Sequence, residues 1–368
     1  MAVAGVLLGL APSPGGAAAG PDPSGQCFTA DPPAITKPAH PLRFGTSPEA
    51  AGTVGSSQGE VDPVDVEAQD EALKRLEPPQ RTLVIRLSRM FMSDGKQAIA
   101  SLARRARHFT RQGFKVEAQV RYHPSEEQEG RMGLWRQFVR QAVRRLGRND
   151  DLVALTITNE VNLPLSPNTS DGAFEKAVKA ILVGLPTARH TLRTIGRQDV
   201  ALGFSYAYRY TPEEDNKFWQ RLGDEGTPRF RRAVDYVGLQ LYPGLFWPPT
   251  LATQTAGEAT VEAMTLLRQC WMPRAKLEDS ARIWITENGY ATNLGHTEER
   301  QQAELEDTIR QVHDYSGELD VTDYRYFNFR DNRPNGTDLF DDVGLLRADY
   351  TRKPAFGTYR DLVSELGS

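Results

Sequence analysis

Cysteine is scarce in this chain: Cys27 and Cys270 are the only two in 368 residues. Two thiols cannot by themselves furnish a four-ligand zinc site, and no cluster of histidines and acids stands ready to complete one, so no metal is expected. The pair leaves open one disulfide or two free thiols. A basic surplus is also missing. With 44 Lys and Arg against 48 Asp and Glu, the formal charge is −4 and the isoelectric point near 6.0, which gives no electrostatic footprint for nucleic acid. The clusters Arg104-Arg105-Ala106-Arg107 and Arg144-Arg145 fall on predicted helices and read as solvated faces. No apolar run approaches the ~18 residues of a membrane-spanning helix, so no membrane partner is expected. Nor does a Gly-rich fingerprint follow the first predicted strand, which argues against a doubly wound nucleotide-binding sheet. No cofactor is expected.

What remains is an ordinary globular composition, 39% apolar and 25% charged, which can bury a core. The first 25 residues differ. Met1-Ala-Val-Ala-Gly-Val-Leu-Leu-Gly-Leu10 is apolar and Ala17-Ala18-Ala19 offers small residues for cleavage, the pattern of a secretory signal peptide without its positive n-region. The alternative is a disordered Ala/Gly/Pro leader. Secretion is the expectation, and in that oxidising setting a bridge from Cys27 to Cys270 would pin the N-terminal extension, residues 26–41, to the body of the protein. Mostly polar helical faces make a monomer the simplest expectation.

From Leu42 to Leu366, short β-rich runs alternate with longer amphipathic ones, the pattern of repeated βα units. The predicted strands are Leu42–Gly45, Thr82–Ser88, Lys115–Tyr122, Leu152–Thr158, Val200–Ser205, Tyr236–Leu241, Arg282–Thr286 and Asp323–Phe329. Most carry consecutive apolar residues, as strands covered on both faces do. Helices are expected over Lys96–Gln112, Leu134–Gly147, Gly172–Leu192, Ala259–Cys270, Glu298–Tyr315 and Ala355–Leu366. Eight strands with intervening helices make a single (β/α)8 TIM barrel.

Two glutamates stand where strands of that barrel end. Glu160 lies at the close of the run Val153-Ala-Leu-Thr-Ile-Thr-Asn-Glu-Val-Asn162, and Glu287 at that of Arg282-Ile-Trp-Ile-Thr-Glu-Asn-Gly-Tyr290. In a parallel barrel these ends form the open mouth, where side chains of different strands converge. The pair reads as an acid and a nucleophile. Thr158-Asn159-Glu160, ending the fourth strand, and Ile285-Thr286-Glu287-Asn288-Gly289, ending the seventh, resemble the clan A retaining glycoside hydrolases. The second motif is especially similar to the nucleophile segment of the β-glucosidase family. Such enzymes need two carboxyl groups ~5–5.5 Å apart, one protonated and one ionised.

The resemblance implies roles for single residues. Glu160 takes that of acid/base and Glu287 that of nucleophile. Arg86, in Leu83-Val-Ile-Arg-Leu-Ser88, matches the strand-two arginine beside the nucleophile, and Asn159 the asparagine that hydrogen-bonds the sugar 2-hydroxyl. Tyr242 matches the tyrosine that donates its phenol to the nucleophile. Trp247, with Tyr206, Tyr208 and Tyr210, offers either flat faces for pyranose rings or packing of the loops on themselves. Strand eight departs from the family. Where a tryptophan usually floors the first sugar subsite, Tyr324-Arg-Tyr-Phe-Asn-Phe-Arg-Asp-Asn332 puts Phe327, with Asn328 and Arg330 as polar contacts. His123 is either a substrate contact or a satisfied rim histidine. Asp338, Asp341 and Asp342 lack calcium-loop spacing and read as a solvated turn. The expected function is retaining hydrolysis of a glycoside or an oligo- or polysaccharide; the alternative is an inactive carbohydrate-binding barrel.

Overall fold

The computed structural model describes residues 27–49, 61–208, 211–246, 250–277, 281–334 and 336–368. The leader at 1–25 lies outside them, as do Tyr210 and Trp247. Strands β1 (Arg43–Thr46), β2 (Val84–Leu87), β3 (Lys115–Val120), β4 (Leu152–Ile157), β5 (Ala201–Ala207), β6 (Tyr236–Leu241), β7 (Arg282–Asn288) and β8 (Val321–Tyr326) close a barrel in sequence order. Every neighbouring pair is parallel, and β1 pairs with β8. A principal helix follows each strand: α1 (Val66–Leu76), α2 (Gly95–Thr110), α3 (Met132–Leu146), α4 (Ala177–Thr194), α5 (Pro212–Glu225), α6 (Ala256–Leu266), α7 (Glu298–Asp314) and α8 (Pro354–Leu366). The chain is a single (β/α)8 barrel.

Local chemistry starts these helices. Thr255 and Glu258 cap α6 reciprocally, each side chain accepting the other's backbone N–H. Thr297 accepts from Arg300 N at the head of α7, and Pro354 opens α8. α1 and α5 go beyond the expected helices. The buried side of α5 includes Asp215 and Asn216 beside Phe218, Trp219 and Leu222, so its apolar periodicity is broken in sequence. Helix α4 begins five residues later than expected. Asp171 is spent elsewhere, on the backbone N–H groups of Tyr122 and Asn159, and only a short 3-10 turn spans Asp171–Ala173.

The core lies between strands and helices, where Leu83, Ile85, Val116, Leu155, Phe204, Leu239 and Ile283 are fully buried. The barrel interior is more polar than the apolar runs suggest. Glu117 accepts from Arg86 at 3.2 Å and from Arg325 at 3.1 Å, and Asp323 accepts from Arg325 and Arg43, both at 2.7 Å. Tyr236 and Trp284 stack at 3.7 Å in the same interior.

Cys27 and Cys270 form a disulfide with Cα atoms 6.0 Å apart. Asn216 of α5 adds two hydrogen bonds to the backbone of Cys27, at 3.1 and 3.2 Å. The extension is therefore tied to the barrel's helical wall. Asp338 and Asp341 are buried rather than solvated, because they cap a 3-10 turn at Leu339–Asp342 reciprocally and Asp341 accepts from Arg333. Among the described residues no helix is long and apolar enough to cross a membrane.

Candidate active site

Every second side chain of a barrel strand faces the axis. That alternation turns inward Arg86 from β2, Glu117 and Gln119 from β3, Gln240 from β6 and Arg325 from β8, and Ser88, Arg121, Tyr242 and Phe327 stand one residue past the ends of the same strands, at the mouth. Strand β7 breaks the rule. Trp284 faces the axis against Tyr236, so strict alternation would turn Glu287 out toward the helices. A bulge corrects this: β6 pairs Leu239 with Ile285 but Gln240 with Glu287, passing over Thr286. Room for the extra residue comes from Gly238, where a Cβ would stand 2.7 Å from the Thr286 hydroxyl. Gly289 serves the same strand end, since a Cβ there would lie 2.0 Å from the Phe327 carbonyl oxygen.

At the end of β4 the backbone turns into the left-handed region, with φ of 75° at Thr158 and 44° at Glu160. For a β-branched residue this is strained, by ~1–3 kcal/mol. Three hydrogen bonds hold it there. Thr158 N donates to Val120 O at 2.8 Å, Asn159 N to Asp171 at 3.0 Å, and Glu160 N to Ser205 Oγ at 3.2 Å. Asp171 is fixed in turn by Arg121 at 2.7 Å.

The two glutamates line one cavity of ≈ 560 Å³, together with Ser88, Gln119, Arg121, Asn159 and Phe327. Their settings differ. Glu287 Oε1 accepts from Arg86 at 2.5 Å and from Gln240 at 2.8 Å, and Oε2 accepts from the Tyr242 hydroxyl at 2.9 Å. Three donors suit an ionised carboxylate. Burial, then the charges of Glu287 and Glu160, hold the Tyr242 phenol well above its ordinary range, so it stays a donor. Glu160 has no comparable set of donors among the described residues. Burial first, and then the charge of Glu287, push its carboxyl up to about 8, against the pull of Arg121 and Arg86. The cavity thus sets a carboxyl that keeps its proton beside one held by three donors.

Arg86, Asn159, Glu160, Tyr242, Glu287 and Phe327 come together at the mouth. Asn159 Oδ1 accepts from Gln119, Gln240 and Ser205 at 2.9–3.1 Å, and one proton of its Nδ2 goes to Thr169 O at 2.8 Å. Asn328 and Arg330 do not join the cavity wall. They are engaged elsewhere, past the end of β8: Asn328 bonds Glu49 O, and Arg330 bonds Ala348 O and Asp62 O beneath Tyr350. His123 packs between Phe91 and Phe174 and contacts Ser93, with burial and then Arg121 lowering its pKa. Tyr206 is fully buried against Trp219 and Trp271 and does not line the cavity. Gln119, Arg121, Asp171, Ser205 and Gln240 are site residues the sequence reading passed over. The two-residue period from Glu117 and from Tyr236 was the signal for Gln119, Arg121 and Gln240. No such pattern marks Asp171 or Ser205. Among the described residues, no group of three or more His, Cys, Asp or Glu could hold a metal.

No protein-family model matches the chain, and no curated protein matches it. Solved structures share its fold. A β-glucosidase from Thermotoga maritima, in complex with noeuromycin, superposes with a TM-score of 0.60 at 13% identity, covering 91% of this chain and 100% of that one. A family 39 glycoside hydrolase from the gut symbiont Bacteroides cellulosilyticus gives 0.59 at 17% identity, covering 92% and 66%. An enzyme of Bifidobacterium longum in complex with Manb1-4GlcNAc gives 0.59 at 15%, covering 88% and 78%. The likeness at these identities is one of fold.

Proposed function

We propose that this protein is a retaining glycoside hydrolase of the β-glycosidase type, acting on a glycoside or an oligo- or polysaccharide. The observation that carries this is a single cavity with two glutamates in opposite settings, Glu287 held by three donors and Glu160 buried and raised to about 8. The shared fold with glycoside hydrolases supports it.

In the first half-reaction a Glu287 oxygen attacks the anomeric carbon. Oε2 is the better placed, since it accepts one donor where Oε1 accepts two. Glu160 gives its proton to the glycosidic oxygen, the C–O bond breaks, and the sugar remains as an ester of Glu287. In the second half, Glu160, now a carboxylate, takes a proton from water as its oxygen attacks the same carbon and releases Glu287. Two inversions give net retention. Asn159 would offer its second Nδ2 proton to a sugar hydroxyl, and Phe327 would floor the sugar ring. We propose secretion as well, supported by the Cys27–Cys270 disulfide and by the apolar first ten residues.

The test is chemical rescue. Glu287→Gly should lose turnover of an activated aryl glycoside and regain it with added azide, and wild-type hydrolysis followed by NMR should first release the anomer of the substrate. An inert wild type across a broad nitrophenyl glycoside panel would favour the inactive, carbohydrate-binding alternative. Inversion of the anomer would sink the double displacement.

A further inference from the structure

A second cavity, of ≈ 550 Å³, adjoins the first. Glu160, Thr169 and Phe340 belong to both walls, whereas Glu287 belongs only to the first. The rest of the second wall is largely apolar, with Leu163, Leu165, Ala207, Leu241 and Phe246. Position assigns its use. The carbon under attack lies on the side of Glu287, so the group that departs with the proton of Glu160 leaves on the far side of that residue. The far side is the apolar cavity.

We propose that this second cavity is the leaving-group site and that it takes an apolar aglycone, an alkyl or aryl alcohol in glycosidic linkage, in preference to a second sugar. The proposal rests on the retaining reading above. A second pyranose would bring several hydroxyls into the cavity, each costly to bury without a partner. Of the polar groups that line it, the Tyr242 hydroxyl donates to Glu287, Gln240 Nε2 donates to Asn159 and Glu287, and the Thr169 hydroxyl donates to Ser166 O, while Tyr208 adds one phenol to the wall. Gln240 Oε1 is a buried acceptor without a partner, enough for one hydroxyl. Leu165, at 52% exposure, extends the apolar surface at the rim.

A glycone accepted as its nitrophenyl glycoside is then presented as methyl, butyl and octyl glycosides and as a disaccharide. Alkoxides of the three alcohols are near-equal leaving groups, so differences in kcat/KM along the series report binding of the chain. A buried methylene contributes at most about fourfold, and the octyl glycoside should exceed the methyl one by at least about tenfold and surpass the disaccharide. Leu165→Asp and Phe246→Ser, each with an unaltered thermal melt, should lower the octyl-to-methyl ratio. A flat series with brisk cleavage of the disaccharide overturns the aglycone assignment and leaves the retaining reading standing. If no glycoside of any kind is cleaved and no glycosyl-enzyme forms, the retaining reading fails and this proposal falls with it.

Discussion

Glu160→Gln preserves the shape of the acid while removing its titration, and it should stabilise the protein as it abolishes turnover of unactivated substrates. Burial and the nearby Glu287 raise the Glu160 pKa from 4.5 to about 8. Between those values the folded chain keeps a proton that the unfolded chain has released. Because the folded state binds more protons there, stability falls as pH rises, by ~1.4 kcal/mol per pH unit. The cost is absent below the unfolded value, reaches roughly 3 kcal/mol at neutral pH, and levels off at roughly 5 kcal/mol above the folded one. A neutral amide escapes it. Urea unfolding of both proteins, run side by side from mildly acidic to alkaline pH, measures the difference directly, since every other titrating group largely cancels. The two stabilities should meet at the acidic end and separate steadily, with the variant the more stable. A gap that stays constant, or that narrows with pH, would refute the claim that burial holds Glu160 protonated.

The same proton governs rate: kcat/KM should fall above about pH 8, and Glu160→Ala, assayed with a leaving group that needs no acid, should lack that alkaline limb. Tyr242→Phe removes the 2.9 Å donor to Glu287. A hydrogen bond to a charged group contributes ~1.5–3 kcal/mol, so kcat/KM should drop about 10- to 100-fold with the circular dichroism unchanged; a loss under threefold would leave the bond without a role. Asp171→Ala strips Arg121 of its buried partner and frees the Asn159 backbone, at a cost of ~3–5 kcal/mol. Its unfolding midpoint should fall accordingly, and a midpoint equal to wild type would contradict the bracing assigned to Asp171.

Strand-and-helix alternation made the barrel legible, because each run of β-branched residues had to find cover on both faces. The two candidate glutamates were legible from their position at two strand ends, and both line one cavity in the structure. What escaped the sequence was the direction of single side chains. Asn328 and Arg330 looked like polar companions of Phe327, yet they lie past the end of β8 and bond the backbone of Glu49, Ala348 and Asp62. Glu287 is the opposite case, since alternation from Trp284 would point it outward and only the bulge at Thr286 returns it to the mouth. Asp171 resembles an ordinary N-cap acid in sequence. Its carboxylate instead reaches back to Tyr122 and Asn159, a contact set by tertiary packing that local propensity does not encode.

The buried charges explain why Glu160 holds its proton. From the bottom of the barrel to its mouth, Arg43, Asp323, Arg325, Glu117, Arg86 and Glu287 touch in that order. Cations and anions alternate and balance. The two guanidinium groups that bear on Glu160 are already matched, Arg121 by Asp171 and Arg86 by Glu117 and Glu287. A second ionised carboxylate would be an uncompensated charge in a buried site, so a proton neutralises it. In the proposed reaction this balance survives turnover. Formation of the ester removes the charge of Glu287 as loss of the proton creates one on Glu160, and Arg86 then faces a single carboxylate at the mouth, as before. The acid becomes a base because the ladder tolerates one negative charge at its open end, whichever glutamate holds it.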